Sequence, residues 1–273
     1  MASEFVFHIR NAHPGDMAAV LATLDTHPSL ETIAEIVRQA EALGFAIHDR
    51  QRLEALTTAC DLGLVEKGRN VLTDEGRLLI WLEMDKPVLF VDIIHGLQYT
   101  LWNERLPSAN CFSWSYRALC QMLWHTGAKT VNSRRELASE IETQARTAFG
   151  RPDIVFSPKS IGGALLWLTE LEPSVLDQDD ERFTRRPFCP PELFALGVDF
   201  VYQTQEIDYG VNLLLIDERR DAICQVCLLE PTSFDRVLEY AVAQFDYLEQ
   251  GTGGGWGRYL TLRRAPRLED FLT

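Results

Sequence analysis

Asp153 to Leu171 reads DIVFSPKSIGGALLWLTEL, and the reading of this stretch decides the fold. Ser157 can accept a hydrogen bond from an early helix N–H, and Pro158 suits the first helical position, whose N–H has no intrahelical partner. A helix is therefore expected to start here. Ile161, Leu165, Leu168 and Leu171 recur at three- and four-residue spacing and form the expected buried stripe. Lys159, Ser160, Gly163 and Trp167 fall off that stripe, which leaves a small, basic, open first turn.

Working outward, two amphipathic helices precede this one. Ser113 to His125 carries Tyr116, Leu119, Cys120, Leu123 and Trp124 and stops at Gly127; Ser133 caps a second helix, with Glu136 three residues on in a capping-box arrangement, ending at Phe149-Gly150. After the third helix, Ser174 to Phe188 carries Asp177, Asp179, Asp180 and Glu181, then Arg182, Arg185 and Arg186, and predicts a hairpin with an acidic tip. Helix, helix, helix and hairpin resemble a winged helix-turn-helix domain, and in that superfamily the third helix enters the DNA major groove. The same plan is expected over residues 14 to 83. There Pro14 to Leu24 is a helix, Ser29 caps Glu31 to Leu43, Asp49 caps a third helix closed by Gly63, and Leu64 to Thr73 forms a hairpin around Lys67-Gly68-Arg69-Asn70. The phrase LGLVEKGRNVLTDEGRLL is similar to the exit of such domains. The two halves share architecture and no residue-level repeat.

Other segments complete the expectation. Glu4 to Arg10 alternates enough for a short strand, Thr73 to about Met84 and Val88 to Trp102 are helices, and Pro107 to Asn110 and Cys189-Pro190-Pro191 mark boundaries. Beyond residue 190 a helix over Glu192 to Gln203 precedes a strand at Val211 to Ile216. Asp217 can cap a helix through Arg220, Ile223, Val226 and Cys227, with a strand after a turn at Asp217 to Asp221 as a close alternative; a helix runs from Thr232 or Ser233 to Phe245, and a strand spans Arg258 to Leu262. The expected fold is mainly α: winged-helix-like modules over 1–109 and 110–188, with a helical C-terminal part carrying a small sheet over 189–273.

The chain has 273 residues, 46% of them apolar, enough for a substantial core. No apolar run reaches the roughly 20 residues that span a membrane, and the N-terminal text lacks the pattern of a signal peptide, so a cytoplasmic location with no membrane contact is expected. Six scattered cysteines in apolar surroundings read as buried thiols. A net charge of −14 opposes whole-surface attraction to nucleic acid. Its distribution qualifies this: residues 1–111 carry 9 basic against 16 acidic residues, 112–190 carry 10 against 10, and 191–273 carry 7 against 14.

Several patterns invite a chemical reading and a plainer one. Cys224-x-x-Cys227 has the spacing of a metal or redox pair, yet no second pair supplies four ligands, so buried structural thiols are expected. Asp92-x-x-His95 has the spacing of a carboxylate metal site without a partner pair, and a capped or solvated helix face is expected. The glycine run from Gly251 to Gly257 lacks both the Lys-Ser/Thr ending of a phosphate loop and a strand-then-helix setting; a flexible connector is expected. No G-x-S-x-G elbow is present. No cofactor and no metal are expected.

The coherent functional signal is basic. Arg134, Arg135, Arg151, Ser157, Lys159, Ser160, Arg185 and Arg186 cluster at helix starts and a hairpin, with Lys67 and Arg69 on the first hairpin, where winged helices touch phosphates. The expectation is a non-enzymatic protein of bacterial or archaeal style that binds double-stranded DNA. It would act as a regulator or as a subunit of a larger nucleic-acid-handling assembly such as an antiviral defence complex, with protein partners and with homodimerisation left open. The competing expectation is a scaffold that docks proteins without touching DNA, and a third is a hydrolase with no recognisable motif.

Overall fold

Capping chemistry sets where the helices begin. In the computed structural model, residues 5–127, 129–130, 133–177, 182–255 and 257–272 are described. Helix α1, Pro14–Thr26, opens on a proline, and α2, Ile33–Ala42, opens on Thr32, whose hydroxyl accepts from Glu35 N while the Glu35 carboxylate accepts from Thr32 N. The cap is thus Thr32 and not the expected Ser29, because only Thr32 has a glutamate three residues on. Asp49 does not cap a helix directly. Its carboxylate accepts from Arg52 N and Glu54 N and shapes the turn from which α3, Glu54–Asp61, starts.

The hairpin β1, Val65–Glu66, and β2, Val71–Leu72, follows, and its register pairs Val65 with Leu72. Gly63, with φ of +77°, makes the left-handed turn between α3 and β1 that a side chain would strain. Helices α4, Asp74–Asp85, and α5, Pro87–Thr100, are separated at Lys86-Pro87, where proline cannot continue the first helix.

The middle of the chain repeats this order with one addition. Helix α6, Cys111–Thr126, leads to β3, Lys129–Thr130; then come α7, Arg134–Phe149, with a Ser133/Glu136 capping box, α8, Pro158–Thr169, capped by Ser157, and β4, Arg182–Phe183. Strand β4 pairs antiparallel with β3, and its other edge meets the chain at Leu176, with Thr184 N donating to Val175 O at 2.8 Å. The tip of this hairpin, with Asp179, Asp180 and Glu181, lies outside the described residues.

In the C-terminal part α9, Pro191–Thr204, packs on α10, Asp217–Cys227, and α11, Phe234–Gln244. The stretch after Asp217 is therefore helix. A three-stranded antiparallel sheet has the order β5, β7, β6, formed by Asn212–Leu214, Gly257–Leu262 and Leu248–Gly253. The glycine run is not a free connector: Gly251, Thr252 and Gly253 pair with Tyr259, Arg258 and Gly257, so the two strands run into it from both sides.

Residues 5–13 form no strand, against the expectation for Glu4 to Arg10, of which Glu4 lies outside the described residues; Phe7 and Ile9 are buried. One apolar core runs through the described residues, with α5 at its centre against α4, α6, α8, α9 and α10. At Gly96 a Cβ would meet Leu193 Cδ1 at 2.9 Å and Leu196 Cδ1 at 3.1 Å, so a larger residue there would push the leucine tips of α9 aside. Contacts cross both expected boundaries: Lys86 Nζ donates to Phe271 O at 3.1 Å, and Arg186 N donates to Leu228 O at 3.0 Å. No helix among the described residues is long and apolar enough to cross a membrane.

Candidate functional site

The first turns of α3 and α8 face one another beside the segment 5–13. Lys159 Nζ reaches Glu54 Oε1 at 3.0 Å, and the other Glu54 oxygen accepts from Asn11 N at 2.6 Å. Arg10 Nε donates to Asp61 at 3.1 Å, and Ser160 makes a short hydrogen bond to His8 Nδ1. Partial burial works to raise the Glu54 carboxyl, but the Lys159 ammonium and the Asn11 amide outweigh it and lower its pKa. Burial also lowers His8, which keeps the ring neutral and able to accept from the Ser160 hydroxyl.

The open face expected on α8 is closed. Ser160, Gly163 and Trp167 are buried, correcting their assignment to the exposed side of the stripe. The physical reason lies at Gly163, where a Cβ would collide with the Arg10 carbonyl: the N-terminal segment lies directly on the helix. Ser157 remains half-exposed and accepts from Lys159 N as the cap.

The remaining basic residues have separate fates. Arg151 forms a two-toothed pair with Asp153 and stacks 4.6 Å from the Phe5 ring centroid. Arg185 donates to Trp124 O at 2.9 Å, lies 4.3 Å over the Trp124 ring and approaches Glu230 at 3.6 Å. Arg69 pairs with Glu66 at 2.6 Å. Arg134 is exposed beside Gly162, which places it with Lys159 and Ser160 near α8. Arg135 and Lys67 are exposed and form no ion pair or side-chain hydrogen bond among the described residues.

Arg186 is not on the surface at all. Only 1% exposed, it meets the fully buried Asp92 at 2.7 Å and donates through Nε to Cys227 O at 2.7 Å. This corrects both its reading as a phosphate contact and the reading of Asp92 and His95 as a solvated face. Burial raises the Asp92 carboxyl from its ordinary value even with the guanidinium beside it.

One turn on, His95 lies between Tyr116 and the Val226 carbonyl, 2.8 Å from each. A carbonyl only accepts, so Nε2 carries the proton and Nδ1 accepts from the Tyr116 hydroxyl. Burial and the Arg186 charge lower the His95 pKa to about 3. This network was missed because its members lie on α5, α6, α10 and the hairpin. The available signal was α5 itself, LFVDIIHGLQY, whose apolar residues surround the helix, so that Asp92, His95 and Gln98 must be buried with them.

Cys189, Cys224 and Cys227 are enclosed near this network, and burial pushes the Cys224 and Cys227 thiols up, away from the reactive thiolate. Among the described residues no three His, Cys, Asp or Glu side chains are arranged to hold a metal. No family model, curated protein or solved structure matches the chain.

Proposed function

We propose that the two modules of three helices and a hairpin are winged helices used for protein docking, and that the chain is a non-enzymatic subunit of a larger assembly. The observation that carries this reading is the internal neutralisation of the basic set. Lys159 answers Glu54, Arg151 answers Asp153, Arg185 sits on Trp124 near Glu230, and Arg186 answers Asp92. A phosphate would have to displace these carboxylates, and the chain's charge of −14 supplies no compensating long-range attraction. The pairing of β3 with the second arm of the hairpin supports the winged-helix reading. Trp81, Met84 and Val88, respectively 53%, 77% and 44% exposed, follow one another along the α4–α5 corner and give a partner an apolar surface to cover.

A second reading, direct contact with duplex DNA, is favoured by Lys67 and Arg135, which stay exposed and form no ion pair among the described residues. Anisotropy of a labelled duplex titrated with the protein at low and moderate salt separates the two. Docking without DNA contact predicts no binding at low salt. The DNA reading predicts binding whose affinity falls by orders of magnitude as salt rises, and a weaker, shallower dependence in Lys67→Glu.

A further inference from the structure

A cavity of 610 Å³ lies where the end of α5, the face of α6 and the turn after α9 converge, lined by Trp102, Glu104, Arg117, Phe200, Asp208 and Tyr209 among others. Arg117 forms part of its wall. It is only 9% exposed, and its guanidinium carbon lies 4.6 Å from the Phe200 ring centroid and 5.3 Å from that of Trp102. Nε donates to Tyr99 O at 3.0 Å and Nη2 to Trp102 O at 2.7 Å, so the arginine caps the carbonyl end of α5.

Carbonyls orient this cation without neutralising it, and the C-terminal helix dipole supplies only about half a charge. Among the described residues no carboxylate lies within ion-pair distance of Arg117; burial lowers its pKa, and the Glu104 charge at the rim acts on it from farther off. Buried charges are normally paired with a carboxylate in direct contact, and this guanidinium, in the wall of a cavity with only carbonyls and ring faces touching it, leaves room for an anion there. The rim has the opposite character. Glu104 and Asp208 stand there, and the Glu206 carboxylate is held by Arg105 at 2.9 Å. A polyanion would be repelled at this entrance, whereas a ligand with a cationic end would be drawn to it. The flat walls come from Trp102, Phe200 and Tyr209, and the last is held by its hydroxyl bond to Asp199 at 2.7 Å.

We propose that this cavity binds a zwitterionic carboxylate of aromatic amino-acid type: its carboxylate on Arg117, its ring between the aromatic walls, its ammonium toward Glu104 and Asp208. The volume falls in the range of small-molecule sites, about 300–1,000 Å³. A free amino acid and the C-terminal residue of a peptide share this carboxylate chemistry, and the test distinguishes them.

Calorimetric titration of the full chain uses L-phenylalanine, phenethylamine, N-acetyl-L-phenylalanine and glycyl-L-phenylalanine. L-Phenylalanine is expected to bind, phenethylamine to bind at least about tenfold more weakly for want of the carboxylate, and the acetylated compound to lose affinity for want of the ammonium. Glycyl-L-phenylalanine binding tighter than the free amino acid assigns the site to peptide C-termini; weaker binding assigns it to free amino acids. Arg117→Met should abolish binding. Because that change also uncaps α5, Gln203→Trp, which fills the cavity from its exposed edge, provides the second variant and should keep the wild-type melting temperature while losing the ligand. No heat with L-phenylalanine or the dipeptide at millimolar concentration overturns the proposal, as does equal affinity for phenethylamine or undiminished binding in a folded Gln203→Trp protein.

Discussion

Replacing Arg186 with methionine should leave Asp92 enclosed with no countercharge, and the size of the effect follows from the site. Asp92 is fully buried, and its ion pair, at 2.7 Å, is to Arg186. Truncating one member of a buried pair costs about 3–5 kcal/mol. Proton uptake sets the ceiling: protonating a carboxyl of ordinary pKa about 3.9 at pH 7 costs about 4 kcal/mol, and the wild type, whose Asp92 is itself raised by burial, already bears part of it. Losing the bond to Cys227 O adds about 1 kcal/mol. The sign with pH is definite. In the variant the folded-state pKa of Asp92 lies above its unfolded value, so the penalty is absent below about pH 4 and grows as pH rises toward the folded-state pKa. Burial already raises Asp92 in the wild type, so the variant differs only by the further rise that Arg186 holds back, and the deficit should narrow toward that of the lost hydrogen bond as pH falls to 5. Urea unfolding followed by tryptophan fluorescence at pH 5, 6, 7 and 8 measures this, and Asp92→Leu combined with Arg186→Met should recover most of the loss. A surface arginine would shift stability by no more than about 0.5 kcal/mol. A wild-type midpoint for Arg186→Met at pH 7, or a deficit that does not narrow toward pH 5, would refute the reasoning.

His95 gives a second pH signature. Its folded pKa of about 3 lies below the unfolded 6.5, so the stability it confers is complete above pH 6.5 and is lost as pH falls toward 3. Between pH 7 and 5 the wild type should lose about 2 kcal/mol that His95→Gln does not, and parallel pH profiles would sink the assignment. Adjacent glycines on α8 should respond oppositely to alanine. Gly163→Ala collides with the Arg10 backbone and should cost about 1–3 kcal/mol, whereas Gly162→Ala meets only the flexible Arg134 Nη1, at 3.2 Å, and should be neutral or stabilising; equal melting temperatures for the two contradict the packing described. Lys159→Glu sets two carboxylates against each other; it should lower stability by about 1 kcal/mol and speed tryptic cleavage at Arg10, and wild-type melting with wild-type cleavage would contradict the pairing. With a thiol reagent the native protein should react rapidly at no more than one cysteine, Cys60, the only one of the six that is not buried. Two or more fast thiols would contradict the enclosed cluster.

The candidate site was legible in part. Ser157, Lys159 and Arg134 do gather at the start of α8, as helix periodicity and capping rules imply. What those rules do not register is that the surface beside them is occupied. Lys159 and Glu54 are 105 residues apart in the chain and Ser160 and His8 are 152 apart, so no window of local sequence joins them. Arg117 drew no attention because a lone arginine among apolar residues on a helix has no motif. Its meaning comes from the carbonyls and rings that α5 and α9 bring to it.

What the sequence determined by itself is the local structure. Ser133 with Glu136, Ser157 with Pro158, Thr73 and the stops at Gly63, Gly127 and Gly150 place helix ends, because a cap or a turn is an exchange among residues a few positions apart. The mainly helical class followed from the same signals. Tertiary structure alone decided which side chains face water. Lys67 and Arg186 are both cations beside a turn, yet one is exposed at a hairpin tip and the other is sealed against Asp92. It also decided that Gly251 to Gly253 belongs to a strand, since that depends on hydrogen bonds offered by Arg258 and Tyr259 across the hairpin. The reason is common to both: burial and sheet pairing are properties of the contacting partner, and a residue's own neighbours in sequence carry no record of which distant element will cover it.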